Sequence, residues 1–321
     1  VIQAAAILIS SIIGVGVLEF PRVAVEAAGP GAPLATALGF IIAFFNIAML
    51  VLVGMRFPNQ SIIGYGEEIL GKWPGRIGIS LIVLYFIALT GLNAREFGEV
   101  VVTGVLKRTP LEATVIIMLL LAMLPTRNDS ATFAYIHLFY LPFIIAPGLM
   151  IVILSLKNAS FNNLLPIWGN PSRYFLTNVF AIAALFQTSF ILSILMPLMR
   201  RPQKAMIAAI WGMSVAGGIY ILIVVAAVAV FGSEEIRQLI WPTLELARTT
   251  SLPANVLERL DALFLIVWVT AVFTTLYTAY YLTIHAAAEM FRLRDHRMLS
   301  SFLLPFIFLA AMLPKDIILE Y

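Results

Sequence analysis

The sequence predicts an all-α integral membrane protein that forms one transmembrane domain over residues 1–321. Of the 321 residues, 61% are hydrophobic and 12% are charged, whereas soluble domains carry roughly 25% charged residues. Apolar runs of about 20 residues recur along the chain, and each is long enough to cross roughly 30 Å of hydrocarbon. The first and sixth of these runs also contain polar residues and helix breakers, which is typical of interrupted spans that line a site.

Nine spans are expected, and residues 315–321 should lead into a tenth. The approximate bounds are residues 2–28 (broken), 33–55, 76–106, 111–125, 131–156, 174–198 (broken), 204–231, 257–290 and 298–313. Connections after even-numbered spans carry ten Lys and Arg residues and the other connections carry eight, which favours a cytoplasmic N-terminal side. Because the chain starts and stops inside this pattern, we expect further sequence beyond both ends.

Two connections are expected to be helical themselves. Residues 62–70 are amphipathic and predict a short interfacial helix on the cytoplasmic side. Residues 233–257 predict one or two surface helices on the other side, with Ser233 as a helix start. This second segment either caps the outer mouth of a site or serves only as a packing lid.

Composition argues against several classes of function. The chain has no cysteine and three scattered histidines, so neither a thiolate nor a histidine metal site is expected. A net charge of +3 gives no indication of nucleic-acid binding. No phosphate loop, nucleophile elbow or HExxH pattern is present. We therefore expect no enzyme activity, no metal and no cofactor.

The first span contains the strongest indication of a ligand site. Gly14, Gly16, Glu19 and Pro21 stand where an undisturbed spanning helix would have aliphatic residues. A helix can open at membrane depth only where protein or a wet cavity satisfies its backbone. We expect the backbone between Gly14 and Pro21 to unwind and to present bare N–H and C=O groups to a ligand.

Glu19 is the ionisable residue of that segment. A carboxylate at bilayer depth costs at least about 2.5 kcal/mol, so it normally faces a cavity or a partner. One interpretation is that Glu19 meets the amino group of a ligand or an arginine beside the opened backbone. The alternative is that it lies nearer the membrane surface and extends there together with Arg22.

Polar residues also occur in spans three, six and eight. Arg95 and Glu99 are four residues apart, so we expect a buried structural ion pair on one helix face. Gln187, Thr188 and Ser189 are consecutive, so at least one of them should face a gap or an unwound turn. The alternative for span six is that its Ser and Thr hydroxyls join helices. A stripe of hydroxyls in span eight should face protein or water and not lipid; it comprises Thr270, Thr274, Thr278 and Tyr281.

Several stretches together resemble a known family. They are Ile-Gly-Val-Gly-Val-Leu-Glu-Phe-Pro-Arg at residues 13–22, Asn-Ala-Arg-Glu-Phe-Gly-Glu at 93–99, Leu-Lys-Arg-Thr-Pro at 106–110, Leu-Ile-Trp-Pro-Thr at 239–243, Glu-Arg-Leu-Asp-Ala-Leu-Phe-Leu-Ile-Val-Trp at 258–268 and Phe-Thr-Thr at 273–275. The combination resembles the B subunit of the GerA-type spore germinant receptors over essentially the whole chain. The resemblance implies the amino acid, polyamine and organocation transporter superfamily, with a LeuT-type fold of ten spans. That fold is a five-plus-five inverted repeat, here residues 1–156 and an incomplete 172–321.

The resemblance also implies a site and a setting. The family's pocket lies between the broken parts of spans one and six and spans three and eight. The corresponding ligand-binding residues are Ile13, Gly14, Gly16, Val17, Glu19, Phe186, Gln187, Ser189, Phe190, Thr274, Thr275 and Thr278. Many relatives have Gly-X-Glu in span six where this chain has Ser189-Phe-Ile191, so we expect Glu19 to supply the acid that span six lacks.

The function implied is that of a membrane subunit that binds a small germinant, such as an amino acid, and signals to the A and C subunits in the spore inner membrane. Two alternatives share the fold, so the fold does not separate them. One is an active amino-acid transporter coupled to protons or exchange. The other is an ion or water channel lined by the stripe of span eight.

Overall fold

The protein is described by a computed structural model that covers residues 1–104, 106–169, 171, 173–249, 260–293 and 295–314, without the side chains of 260–263. The described residues form helices joined by turns. The helices are α1 Ile2–Ile12, α2 Phe20–Ala28, α3 Ala32–Gly54, α4 Ile62–Leu70, α5 Lys72–Gly104, α6 Leu111–Met123, α7 Ser130–Ser155, α8 Phe175–Ala184, α9 Ile191–Leu195, α10 Ala205–Ile236, α11 Pro242–Thr249, α12 Leu260–Met290 and α13 Arg297–Met312. Residues 315–321, where a tenth span was expected to start, and residues 258 and 259 of the family pattern lie outside these ranges.

Most of the predicted elements are present. The interfacial helix α4 spans Ile62–Leu70, and Ser61 caps it by accepting a hydrogen bond from the N–H of Ile63. α10 is kinked at Gly232, which has φ 75° and ψ 164°, and one helical turn resumes at Ser233. The positive φ explains why glycine occupies the kink. α11 provides a surface helix in the segment where one or two were expected.

The number of full-length spans differs from the expected nine. In the described part of the chain, five helices are long and apolar enough to cross a membrane, or six if the bent pair of α8 and the segment Gln187–Leu198 counts as one span. α1, α6 and α13 contain 11, 13 and 16 residues, and at 1.5 Å per residue each is shorter than 30 Å. These segments were predicted as spans, or parts of spans, because they are apolar. Helices this short can cross a membrane only together with the residues that follow or precede them in the chain.

α1 lies in the interior of the bundle. It packs against α7, α10 and α12, and its residues from Ala4 to Ile12 are all buried. A helix that is apolar all round and buried all round is a central element. The break at its end is therefore enclosed by protein, and it faces α5, α10, α12 and the interrupted sixth span.

Candidate ligand site

The first span is interrupted inside the protein. α1 ends at Ile12, Ile13 is extended, and a 3₁₀ turn over Val15–Val17 follows before α2 begins at Phe20. Pro21 lies in the first turn of α2, where a missing N–H removes no intrahelical hydrogen bond. The predicted opening of span one is present.

The sixth span is interrupted as well. α8 ends at Ala184, and a 3₁₀ turn over Gln187–Phe190 precedes α9. The two parts of this span are bent by 50°. The run of three polar residues predicted to need an unwound turn therefore lies in one, and this turn contacts the end of α1.

Gly14 is the point of closest approach between the opened segment and α12. A Cβ atom at this position would lie 1.9 Å from Thr275 Oγ1 and 2.6 Å from Thr275 Cβ. At Gly16, by contrast, a Cβ would make an ordinary 3.5 Å contact with Leu185 Cδ2. Packing therefore requires glycine at residue 14 and leaves room for a methyl group at residue 16.

The carbonyl groups at the end of α1 are satisfied by side chains from other elements. The donor–acceptor distances are 2.8 Å from Thr274 Oγ1 to Ser10 O, 3.0 Å from both Thr275 Oγ1 and Thr188 Oγ1 to Ser11 O, 2.9 Å from Tyr220 Oη to Ile12 O, and 3.3 Å from Trp268 Nε1 to Gly14 O. Gly14 is the one of these acceptors that belongs to the segment whose carbonyl oxygens were expected to be bare, and for its carbonyl that expectation is wrong. Neighbouring helices supply the donors that membrane-depth backbone needs.

α11 closes the opposite side of the break. The Thr243 hydroxyl donates to Val17 O at 2.7 Å, and the Thr243 N–H donates to Leu18 O at 3.1 Å. Thr243 is itself buried. α11 is therefore hydrogen-bonded to the opened segment in addition to packing over it.

The amide groups of the opened segment differ from its carbonyls. Among the described residues, no acceptor receives a hydrogen bond from the N–H of Val15 or Gly16. Both residues line an internal cavity. A buried N–H without a partner is rare in folded proteins because it loses the hydrogen bonds that water provided. These two donors are available to water or to a ligand.

The cavity at the break has a volume of about 50 Å³. A water molecule needs roughly 10–15 Å³ on this scale, so the space holds a few waters or the polar end of a small ligand. Its lining residues come from the ends of α1 and α8, both interrupted turns, α5, α10 and α12. They are Ser11, Ile12, Val15, Gly16, Glu19, Asn93, Glu96, Leu185, Gln187, Thr188, Tyr220 and Thr275.

Four polar side chains face this cavity without a protein partner. Within the described part of the chain, no hydrogen bond or ion pair is made by the side chains of Glu19, Asn93, Glu96 or Gln187. Glu19 is the residue that precedes α2, yet its carboxylate does not cap that helix. The four residues are partly buried, and Glu96 Oε1 is closed to solvent. Because a buried polar atom is nearly always hydrogen-bonded, this arrangement indicates a site for polar molecules.

The charge of this lining is acidic. Glu19 and Glu96 are its ionisable carboxylates, and no lysine, arginine or histidine is among the lining residues. Arg22, one turn beyond Glu19, forms a partly exposed ion pair with Glu26 at 3.4 Å. The cavity therefore favours a cation or the ammonium end of a zwitterion.

The structure divides the predicted ligand residues among three places. Gly16, Glu19, Gln187 and Thr275 line the acidic cavity. Ile13 and Val17 line a separate apolar cavity of about 30 Å³ beside Trp268. Phe186, Ser189 and Phe190, together with Gln187, line an open cleft of about 480 Å³ between α3, α5 and α8.

The two remaining threonines, Thr274 and Thr278, join helices. Thr274 binds the Ser10 carbonyl, and Thr278 Oγ1 lies 2.7 Å from Ser11 Oγ and 3.2 Å from His137 Nε2. His137 Nδ1 lies 2.6 Å from Ser10 Oγ, and the imidazole is fully buried. This stripe of span eight therefore faces protein, and its contact with His137 of α7 was not predicted.

Asn93 and Glu96 were also missed as site residues. They are three residues apart on α5, so they share a helix face, and both line the cavity. The predictions for this span named Arg95 and Glu99 instead. The i, i+3 spacing of two polar residues in an apolar span was the available signal.

Arg95 and Glu99 form an ion pair away from the cavity. Arg95 Nε lies 2.8 Å from Glu99 Oε1, and both side chains are over 90% buried. Arg95 also donates to the carbonyl of Ala311 in α13 at 3.2 Å. The pair joins α5 to α13, which is the geometry expected of a structural pair.

No metal site is recognisable in the described residues, where no group of three or more His, Asp or Glu side chains is close enough to share an ion.

Tyr220→Phe is expected to destabilise the opened segment by about 1–3 kcal/mol, because the buried Ile12 carbonyl would lose its donor. Thermal unfolding of the detergent-solubilised protein measures this effect. Tyr65→Phe is the matched control: Tyr65 is also buried, but its hydroxyl has no partner among the described residues. Equal losses in the two variants would show that the Tyr220 hydrogen bond does not support the break.

Fold and site together define a class of protein, a transporter-like membrane protein whose interrupted helices enclose a small polar cavity. Among solved structures, the chain is similar to Mhp1, a nucleobase-cation-symport-1 family transporter in a closed conformation with bromovinylhydantoin bound. The TM-score is 0.68 at 16% identity, covering 98% of this chain and 72% of Mhp1. At this identity the likeness establishes the fold alone.

The family follows from sequence. Residues 1–318 match the family of spore germination proteins known as spore permeases, and the chain belongs to that family. It is 25% identical to spore germination protein YndE of Bacillus subtilis, covering 98% of this chain and 86% of YndE. It is 27% identical to spore germination protein A2 of the same organism, covering 85% and 75%, and 25% identical to GerLB of Bacillus cereus, covering 96% and 83%.

Proposed function

We propose that this protein is the membrane subunit of a spore germinant receptor and that it binds a small germinant, chemically an amino acid, in the cavity at the break of span one. Four polar side chains without a protein partner around one enclosed space carry this proposal: Glu19, Asn93, Glu96 and Gln187. Membership of the spore germination family supports the biological setting, which is the spore inner membrane.

The geometry fits the two ends of an amino acid. Val15 and Gly16 offer N–H groups to a carboxylate, and Glu19 faces the same cavity with an acceptor for an ammonium group. A charge-assisted hydrogen bond of this kind is stronger than a neutral one. Binding would favour the conformation that encloses the ligand, and the change would pass to the A and C subunits of the receptor.

The finer architecture is part of the same proposal. We infer that residues 1–156 and 172–321 are two inverted repeats of five spans each, the second incomplete. Interruption of both the first and the sixth span supports this arrangement, because corresponding positions of inverted repeats commonly carry the site.

Glu19→Gln is expected to weaken the binding of a cationic or zwitterionic germinant about 10- to 100-fold, since a hydrogen bond to a charged group contributes about 1.5–3 kcal/mol. Thermal-shift titrations against a panel of amino acids measure the loss in the purified protein, and the germination dose response measures it in spores. Glu26→Gln is the matched control, because Glu26 lies on α2 outside the cavity in a partly exposed ion pair. An unchanged dose response of Glu19→Gln at normal protein levels would refute this role.

Active transport is the second candidate function, since Mhp1, whose fold the chain shares, is a transporter. Reconstitution into proteoliposomes separates the two. Saturable accumulation of a labelled amino acid would indicate transport, whereas binding without flux would indicate a receptor subunit.

A further inference from the structure

Glu96 carries a carboxylate inside the protein. It is neither one of the predicted ligand residues nor part of the ion pair between Arg95 and Glu99. Its Oε1 atom is closed to solvent and has no hydrogen-bond partner among the described residues. The rest of the side chain lines the acidic cavity. An ionised carboxylate in such a place would be several kcal/mol less stable than in water, because no partner replaces its hydration. A neutral carboxylic acid avoids that cost.

The neighbouring charges act in the same direction. Glu19 faces Glu96 across the cavity, and two carboxylates that share a small enclosed space do not both ionise readily. Arg22 lies about one turn beyond Glu19, in the first turn of α2. Of the two acids, Glu19 is therefore the one nearer in the chain to Arg22.

The other titratable or charged groups near Glu96 do not neutralise it. On α5 itself, Arg95 is engaged with Glu99. From α10, the Tyr220 hydroxyl points its hydrogen at the Ile12 carbonyl. Among the described side chains, those that the interrupted sixth span and α12 contribute to the lining are uncharged, and they include Gln187, Thr188 and Thr275.

We propose that Glu96 holds a proton while the cavity is empty and releases it when an ammonium group binds between Glu96 and Glu19. The ammonium keeps its own protons, the Glu96 carboxylic acid becomes a carboxylate, and one proton passes to the solvent. Both acids then share one cation. The proposal concerns the charge of the same cavity to which germinant binding was assigned. It rests on that proposed function only for the identity of the natural ligand.

The proposal fixes the direction in which affinity for an ammonium ligand changes with pH. Because binding releases a proton, affinity for an ammonium ligand rises with pH, by up to about tenfold per unit while Glu96 is protonated in the empty protein. Glu96→Gln has no proton to release, so its affinity is independent of pH over the same interval.

Infrared spectroscopy of the full chain in lipid nanodiscs tests the empty state without any ligand. The spectrum of the wild type should contain the carbonyl stretch of a protonated carboxylic acid, and Glu96→Gln should lose it. Glu26→Gln, an acid outside the cavity, should retain it. If the wild type and Glu96→Gln have identical spectra in this region, Glu96 is ionised and the proposal is wrong.

Methylammonium chloride is the probe for the second step, with potassium chloride as the salt control. In the wild type, methylammonium should abolish the carboxylic acid band and acidify a weakly buffered solution by one proton per molecule bound. This measurement needs no variant, so it stands even if Glu96→Gln folds poorly. A band that persists at every methylammonium concentration overturns the coupling.

The same experiment separates this inference from the proposed function. Proton release with methylammonium but no binding of any amino acid would support the Glu96 proposal and refute an amino-acid germinant. Binding of an amino acid with no release of a proton would support an amino-acid germinant and refute the Glu96 proposal.

Discussion

Gly14→Ala is expected to lower the free energy of unfolding by about 3 kcal/mol, the upper end of the usual cost of overpacking, and to abolish ligand-induced thermal stabilisation. A methyl group at this position would overlap Thr275 Oγ1, which would lie 1.9 Å from the new Cβ. The opened segment and α12 would have to separate. That movement would break the hydrogen bond from Thr275 to the Ser11 carbonyl and distort the cavity that both line.

The same substitution two residues further on is the matched control. Gly16→Ala should fold with near-normal stability, since its Cβ would meet only Leu185 Cδ2 at 3.5 Å. Thermal unfolding with and without an amino acid measures both quantities. If Gly14→Ala were as stable as Gly16→Ala and still responded to ligand, α1 and α12 would not be in the close contact that the structure contains.

Arg95→Met and Glu99→Met are each expected to destabilise the protein by about 3–5 kcal/mol, whereas the double variant should recover most of that loss. A single substitution removes the ion pair and leaves one buried charge behind, while two apolar side chains of similar volume are often neutral or stabilising. Equilibrium unfolding in detergent gives the three free energies and hence their coupling.

The double variant also tests the role of the pair. Because Arg95 and Glu99 lie away from the acidic cavity, the double variant should bind amino acids with the affinity of the wild type. A double variant that is stable but does not bind would assign the pair to ligand recognition and contradict a purely structural role.

The sequence was informative about the interruptions because they depend on local chemistry. Two glycines and a proline within eight residues disfavour a continuous helix, and the three consecutive polar residues of span six cannot share one helix face. Both breaks lie where these residues predicted. The amphipathic helix Ile62–Leu70 was predicted with the bounds that it has, since its pattern is also local.

The site was predicted less completely because its members come from distant parts of the chain. Glu19 and Gln187 were identified by their positions in broken spans. Glu96 could not be assigned to the cavity from sequence, since helix spacing alone does not tell which face of α5 meets the break. The donors that satisfy the carbonyls beside the break, such as Tyr220 of α10, could not be predicted because they lie some 200 residues away in the chain.

By itself, the sequence determined that this is a helical membrane protein, which stretches of it are apolar helices, and that its first and sixth spans open. These properties follow from hydropathy and backbone preference over short windows. Only the tertiary structure decided which polar groups are satisfied and which face the cavity. That outcome depends on how helices remote in sequence pack together, because a hydroxyl of α12 can bind either a carbonyl of α1 or a ligand, and the packing determines which one it reaches.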